Sequence, residues 1–265
     1  MNYLQINVAG AVATITLDRP EVRNAFNDAV IGELTQAFND LGARDDVRCI
    51  VLAANGTAFC AGADLNWMRS MADYTREQNL EDASRLATML RTVYECPKPT
   101  IARIQGDVYA GGTGLVAACD IAVSVDTAHF CLSEVKLGLL PSTISPYVLR
   151  AMGVRAAHRY FLTAERFSAA EALRIGFVHE VVTADALEAK MAELALALVS
   201  AGPEAVKACK RLVQDVAGCD FTPELIAMTV ESIAAVRVSS EGREGLQSFL
   251  QKRKPNWLLE TGDST

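Results

Sequence analysis

No long apolar run, no closely spaced cysteine pair and no histidine cluster occurs in this 265-residue chain, and each absence removes a class of protein. The first residues, MNYLQINVAGAVATITLD, alternate as strand and turn, without a basic leader or an apolar stretch long enough for export or for spanning a bilayer. A cytoplasmic protein with no membrane partner is the expectation. Seven cysteines are an odd number with no C-x-x-C pair, and those in RCIVLAA and HFCLSE sit in apolar surroundings, so they read as small buried hydrophobes. Only His129, His158 and His179 are present, too widely spaced for a zinc ligand set, and no metal is expected. Basic residues are outnumbered 25 to 32, which argues against a sequence-independent grip on nucleic acid or anionic lipid. The G-x-G-x-x-G fingerprint and the P-loop G-K-[ST] are both missing, which disfavours nicotinamide and nucleoside-triphosphate chemistry. A small ligand is the better expectation. Among local basic clusters the best candidate, Lys252, Arg253 and Lys254, reads equally as an anion contact or as a solvated helix end.

What is present is an alternation of strand and helix. Leu4 to Val8 and Val12 to Leu17 flank a turn at Ala9-Gly10 and read as a hairpin. Val30, Ile31, Leu34, Ala37, Phe38 and Leu41 recur at three- and four-residue steps, which predicts an amphipathic helix over Asp28 to Leu41. Strands follow at Cys49 to Ala54, Thr100 to Gln105 and Ile121 to Ser124, separated by helices at about Glu77 to Val93 and Thr113 to Cys119. That order implies parallel pairing in an α/β unit with both sheet faces covered. Beyond Pro141 five segments read as helix: Val148 to Phe161, Ala169 to Ile175, Ala184 to Ser200, Pro203 to Val216 and Thr222 to Val236. Neither an internal repeat nor a low-complexity linker is visible, so one main domain carries a helical extension.

Two turns and one carboxylate stand out. Thr57 to Leu65 follows a strand with a run of small residues around Gly62, and Gln105 to Leu115 follows another with Gly111, Gly112 and Gly114. Small residues let backbone approach a ligand, and N–H groups at a helix start are unpaired. Two such turns can converge on one oxygen as an oxyanion hole, each donor worth about 2.7–4 kcal/mol in a transition state. Plain strand-to-helix turns are the other reading. In Phe130 to Pro141, Glu134 interrupts an apolar stretch, so it is either ion-paired, with Lys136 two residues on, or held at a raised pKa suited to proton transfer.

Taken together, RPEVRNAFN, FCAGADL, AGGTGLVAACD, LSEVKLGLLP and LTAERFSAAEALRIGFVHEVV resemble the crotonase (enoyl-CoA hydratase/isomerase) superfamily in order and spacing, from about Asn2 to Trp257. The resemblance implies an α/β fold: a crotonase-like stacked ββα superhelix over residues 1–195, and a mainly α-helical C-terminal trimerisation region over 196–265. It implies an acyl-CoA thioester substrate, no separate cofactor because coenzyme A is part of that substrate, and a homotrimer or dimer of trimers. Carried over, the oxyanion amides fall on Ala63 and Gly111, and Glu134 matches the family's second catalytic glutamate. Arg23, Asn24 and Ala25 match a segment lining the CoA nucleotide. Ala61 and Asp64, Leu65 and Asn66 match residues bordering thioester and pantetheine, and Lys252 to Lys254 match a basic C-terminal helix that approaches CoA phosphates, often across a subunit boundary.

One position departs from the pattern. Two-glutamate hydratases carry a glutamate three places after the oxyanion glycine, and Gly114 stands there. GADLNWMRSM with LSEVKLGLLPSTISPYVLRAMG is similar to the bacterial 3-methylglutaconyl-CoA and isohexenylglutaconyl-CoA hydratases of leucine and acyclic-terpene degradation. Such substrates are branched and carry a second carboxylate, so the resemblance implies free space near Gly114, a cation at Arg69, and acyl-pocket walls at Trp67 and Met68. A Δ3,Δ2-enoyl-CoA isomerase using Glu134 alone, and a silent acyl-CoA-binding homologue, are the alternatives.

Overall fold

The computed structural model describes residues 1–259. Strands β1 (Leu4–Ala9) and β2 (Val12–Leu17) form the expected antiparallel hairpin, pairing Leu4 with Leu17 and Ile6 with Ile15. In β2 the alternation sends Ala13, Ile15 and Leu17 into the core. After a short 3-10 turn, helix α1 (Asp28–Ala43) starts at Asn27, whose side chain accepts the Val30 N–H, and its apolar stripe buries the six residues the periodicity selects. β3 (Cys49–Ala54) is buried along its whole length.

From β3 onward the chain repeats one geometric unit. β3 continues into the short β4 (Ala58–Cys60), then α2 (Leu65–Met71) and α3 (Arg76–Tyr94). β5 (Thr100–Ile104) continues into β6 (Asp107–Tyr109) and α4 (Gly111–Ala118), and β7 (Ile121–Val125) into β8 (His129–Cys131). The long members pair in parallel in the order β3-β5-β7 within a six-stranded sheet, and the short members in the order β4-β6-β8 within a four-stranded one. This is the stacked ββα architecture that the resemblance implied. No repeat shows in the sequence because strand–turn–strand geometry carries it, and three-residue strands are too short to display a period.

After a 3-10 turn at Glu134–Leu137 come α5 (Ser145–Thr163), bent at Gly153, β9 (Phe167–Ser168), α6 (Ala169–Arg174) and β10 (Glu180–Val182). β10 closes the large sheet beside β7. α7 (Leu187–Ser200) packs on β7 and β3, so residue 195 lies inside a helix seated on the sheet, and the departure from the sheet comes at α8 (Pro203–Val216). Pro203 occupies the first turn of α8, as its fixed φ favours. Helices α9 (Pro223–Val238), α10 (Ser240–Leu250) and α11 (Asn256–Leu259) complete the described chain, and residues 260–265 of the C-terminal region lie outside it. α8 and α9 bury no residue fully, while Phe221, Ile226, Val230 and Phe249 are exposed. A part-buried ion pair, Lys210 Nζ to Asp120 Oδ2 at 2.7 Å, fastens α8 to the sheet unit. Among the described residues no helix is long and apolar enough to cross a membrane.

Candidate active site

The parallel strands β4, β6 and β8 all point one way, and Ala63, Gly111 and Glu134 each follow the end of one of them within three residues. The carboxyl ends of parallel strands are where ligands gather in α/β folds. Backbone pairing brings the three segments close. Ala110 N donates to Cys131 O at 2.8 Å, which ties the glycine turn to the strand before Glu134. A Cβ built on Gly62 would lie 2.9 Å from Ala110 Cβ and 3.6 Å from Gly111 N, so the two turns are in direct contact. Gly62 has φ +89°, which a side chain would strain.

Phe26 fixes the orientation of Ala63. Its N–H donates to Gly62 O and its carbonyl accepts the Asp64 N–H, both at 2.9 Å, as one parallel bridge. The amide between them, Ala63 N–H, therefore faces away from Phe26 and has no acceptor among the described residues. Gly111 opens α4, so its N–H has no acceptor within the helix, and none outside it among the described residues. Two adjacent, unengaged backbone donors can bind one developing oxyanion.

Glu134 opens the 3-10 turn and is mostly buried. Its Oε2 is fully buried with no hydrogen-bond partner among the described residues, and burial pushes the carboxyl above the usual glutamate range, offset in part by the residue's own backbone N–H. The strand that would have put Lys136 on the same face is a 3-10 turn instead, and no cation pairs with Glu134 among the described residues. The ion-pair reading is thereby corrected: this is a carboxylate of raised basicity, suited to taking up and returning a proton.

A cavity of about 470 Å³ is lined by Arg23, Ala25, Ala61, Ala63, Asp64, Leu65, Asn66 and Arg69, together with Glu21 and Val22. Eight residues singled out in the sequence thus meet in one hollow. Arg23, at φ +53°, and Ala61 also line a second hollow of about 350 Å³, walled by Tyr109 and Gln105. A larger groove of about 790 Å³ between α7 and β2 gathers none of them.

The sequence model of the enoyl-CoA hydratase/isomerase family matches residues 7–259. The chain belongs to that family. It is 32% identical over 248 residues to a putative enoyl-CoA hydratase of Thermus thermophilus, covering 94% of this chain and 98% of that protein. A probable enoyl-CoA hydratase of Rhodobacter capsulatus is 33% identical over 267 residues, covering 97% and 99%. Among solved structures, an enoyl-CoA hydratase from Shewanella pealeana superposes with a TM-score of 0.94 at 44% identity, covering 96% of each chain. A putative enoyl-CoA hydratase/isomerase (crotonase) from Legionella pneumophila gives 0.91 at 45%, covering 96% and 98%.

Several residues of this enoyl-CoA hydratase/isomerase family member differ from the expected roles. The space beyond Gly114 is full: a Cβ there would meet Ile144 Cγ2 at 2.3 Å and Ile144 Cβ at 2.7 Å, and Ile144 is 2% exposed. The expected room for a branched acyl group at Gly114 is therefore absent. Gly114→Ala should cost about 1–3 kcal/mol by overpacking. Ile144→Ala should recover only part of this, because it leaves the Ile144 Cβ in place; a thermal-melt double-mutant cycle reads the coupling. Asn24 does not offer its side chain to a ligand. Its amide donates to Asn55 O and Ala58 O, and its Oδ1 accepts the Arg19 N–H, so it shapes the turn from within.

Asp64 caps α2 through the Asn66 N–H and pairs with Arg19 at 2.9 Å. Burial pushes its carboxyl up, but those two partners, together with the Trp67 N–H, outweigh burial and hold it below the usual range. Trp67 is a core residue, 9% exposed with its ring 6.3 Å from Phe26, and does not line the cavity. Lys252 stands in the turn after α10 rather than in a helix, with φ +55°, and Arg253 is held by Glu244 at 2.6 Å. Trp257 contacts Arg48 just before the start of β3, and Lys252 is not among the residues that line this cavity. Phe26, Val22 and Ile144 escaped sequence reasoning. Phe26 lay inside RPEVRNAFN, but only the structure shows that its ring rests on Gly111 while its backbone clasps Gly62 and Asp64.

Proposed function

We propose that this protein hydrates the 2,3 double bond of a branched, dicarboxylic enoyl-CoA, such as 3-methylglutaconyl-CoA or isohexenylglutaconyl-CoA, with the branch lying away from the filled place beyond Gly114. The observation that carries the reading is the buried, unpartnered Glu134 carboxyl, which shares one end of the β4-β6-β8 sheet with two unengaged amides. Ala63 N–H and Gly111 N–H hold the thioester oxygen. The Glu134 carboxylate takes a proton from water as its oxygen bonds to C3, and the electrons shift onto that held oxygen as an enolate. The same carboxyl then returns the proton to C2, on the same face. Coenzyme A enters as part of the substrate, its nucleotide along Arg23 and Ala25 and its pantetheine past Ala61, Leu65 and Asn66, so no separate cofactor takes part. The working assembly is a homotrimer or a dimer of trimers, in which Lys252 of one copy serves a neighbour's CoA phosphates.

Support for a second substrate carboxylate comes from Arg69, an exposed cation on the cavity wall that donates a hydrogen bond to Asn66 Oδ1 at 2.6 Å and forms no ion pair among the described residues. Arg69→Met should raise KM for 3-methylglutaconyl-CoA about tenfold, the size of one charge-assisted hydrogen bond, and leave crotonyl-CoA unchanged. Steady-state kinetics on both thioesters tests this, and faster turnover of crotonyl-CoA by the parent enzyme would overturn the branched-substrate reading.

Ile144 favours one rival. It fills the place beyond Gly114, where two-glutamate hydratases carry a second carboxylate, and a Δ3,Δ2-enoyl-CoA isomerase needs one proton-shuttling carboxylate and no attacking water. Turnover in ¹⁸O-labelled water separates the two, since hydration places label on C3 and isomerisation places none.

A further inference from the structure

The ring of Phe26 touches the second turn as its backbone touches the first. A Cβ built on Gly111 would lie 2.4 Å from Phe26 Cζ and 3.2 and 3.4 Å from its two Cε atoms, so the edge of the ring rests on the Gly111 backbone. On the other side, the Phe26 N–H and carbonyl clasp Gly62 and Asp64 at 2.9 Å around the outward-facing Ala63 amide. Phe26 is 2% exposed, and the Trp67 ring packs against it at 58°. One residue therefore bears on both donor turns: rigidly through a backbone bridge on one, and through a planar ring on the other.

We infer that Phe26 is a positioning residue that sets the separation of the Ala63 and Gly111 N–H groups, with its ring as the spacer. This rests on the oxyanion reading of those amides. A shorter side chain leaves the Ala63 bridge intact, because that bridge is backbone, but removes the surface that holds Gly111 in place. The loss then falls on the charge-developing state and not on ground-state binding, since a neutral thioester carbonyl leans little on either donor.

Acetoacetyl-CoA separates the two states directly. It ionises to an enolate with its own ultraviolet absorbance, whereas butyryl-CoA cannot at neutral pH. The wild-type protein is expected to shift acetoacetyl-CoA toward its enolate. Phe26→Leu is expected to reduce that equilibrium about 10- to 100-fold, the scale of a misplaced donor, with the butyryl-CoA Kd within about twofold of wild type. Phe26→Met, which refills the length of the ring with a flexible chain, should fall between them and guards against simple loss of fold. If both variants stabilise the enolate as well as wild type, or lose butyryl-CoA binding in proportion, Phe26 is not a spacer. If the wild type itself leaves acetoacetyl-CoA un-ionised, the oxyanion reading of Ala63 and Gly111 fails instead, and the two failures are told apart by that control.

Discussion

Glu134→Gln is expected to lower kcat on the preferred enoyl-CoA by about 10²- to 10⁴-fold, the range for loss of a positioned general acid–base group, while saturated acyl-CoA binding stays near wild type. The amide keeps the shape of the side chain and removes its ability to exchange a proton. Near-full turnover by this variant on every enoyl-CoA tested would exclude the mechanism. The same substitution carries a second, opposite consequence. Burial raises the folded-state pKa of Glu134 above the ordinary glutamate value of 4.5, so between the unfolded and folded pKa values the native protein binds more protons than the unfolded chain. Stability from this group is intact below about pH 4.5 and is lost as pH rises through the raised folded pKa. Above that pH the wild type holds an unpartnered buried charge that Glu134→Gln lacks. The variant should therefore melt higher near pH 8, by about 2–4 °C for each kcal/mol recovered, with the advantage vanishing toward pH 4. In the same way, kcat/KM for hydration should fall on the acid side with a midpoint above that of an ordinary glutamate, because the carboxylate form must meet the water.

How much of this was legible beforehand depended on whether a residue acts through its own chain neighbours or through space. The stripe of α1, the hairpin and the long parallel strands follow from local periodicity, and their bounds agree with the structure to within two residues. The short strands β4, β6 and β8 were invisible, although they align Ala63, Gly111 and Glu134 at one end of the sheet. The resemblance supplied those three residues without the geometry. It could not show that Ile144, thirty positions along the chain, fills the hollow beyond Gly114, since a missing side chain in a sequence does not reveal what packs into its place. Asn24 and Asp64 illustrate the same limit. Both border the site in sequence, but their polar atoms are consumed by Asn55, Ala58, Asn66 and Arg19. Glu134 was the reverse case: an apolar stretch with one acid left pairing and basicity open, and the 3-10 turn removed the pairing.

Gly62→Ala is expected to damage the site as severely as loss of an oxyanion donor, about 10²- to 10³-fold in kcat, through two separable effects. The first is backbone strain, since φ of +89° costs a residue with a Cβ about 1–3 kcal/mol. The second is contact: the new Cβ would press on Ala110 Cβ at 2.9 Å and on Tyr109 O at 3.2 Å, the residues that lead into Gly111. Gly218→Ala provides the comparison. Its φ is +78°, but nothing lies within 4 Å of the added carbon, so it pays the strain without the push. Both variants should lose several degrees of melting temperature, yet only Gly62→Ala should lose turnover and the enolate signal of acetoacetyl-CoA. Equal activity of the two would mean that the turns tolerate being forced apart, and that the 2.9 Å approach of Gly62 to Ala110 serves packing alone. A selective loss at Gly62 would show that the small residues of FCAGADL and AGGTGLV are there so that two backbone amides can stand close enough to share one oxygen.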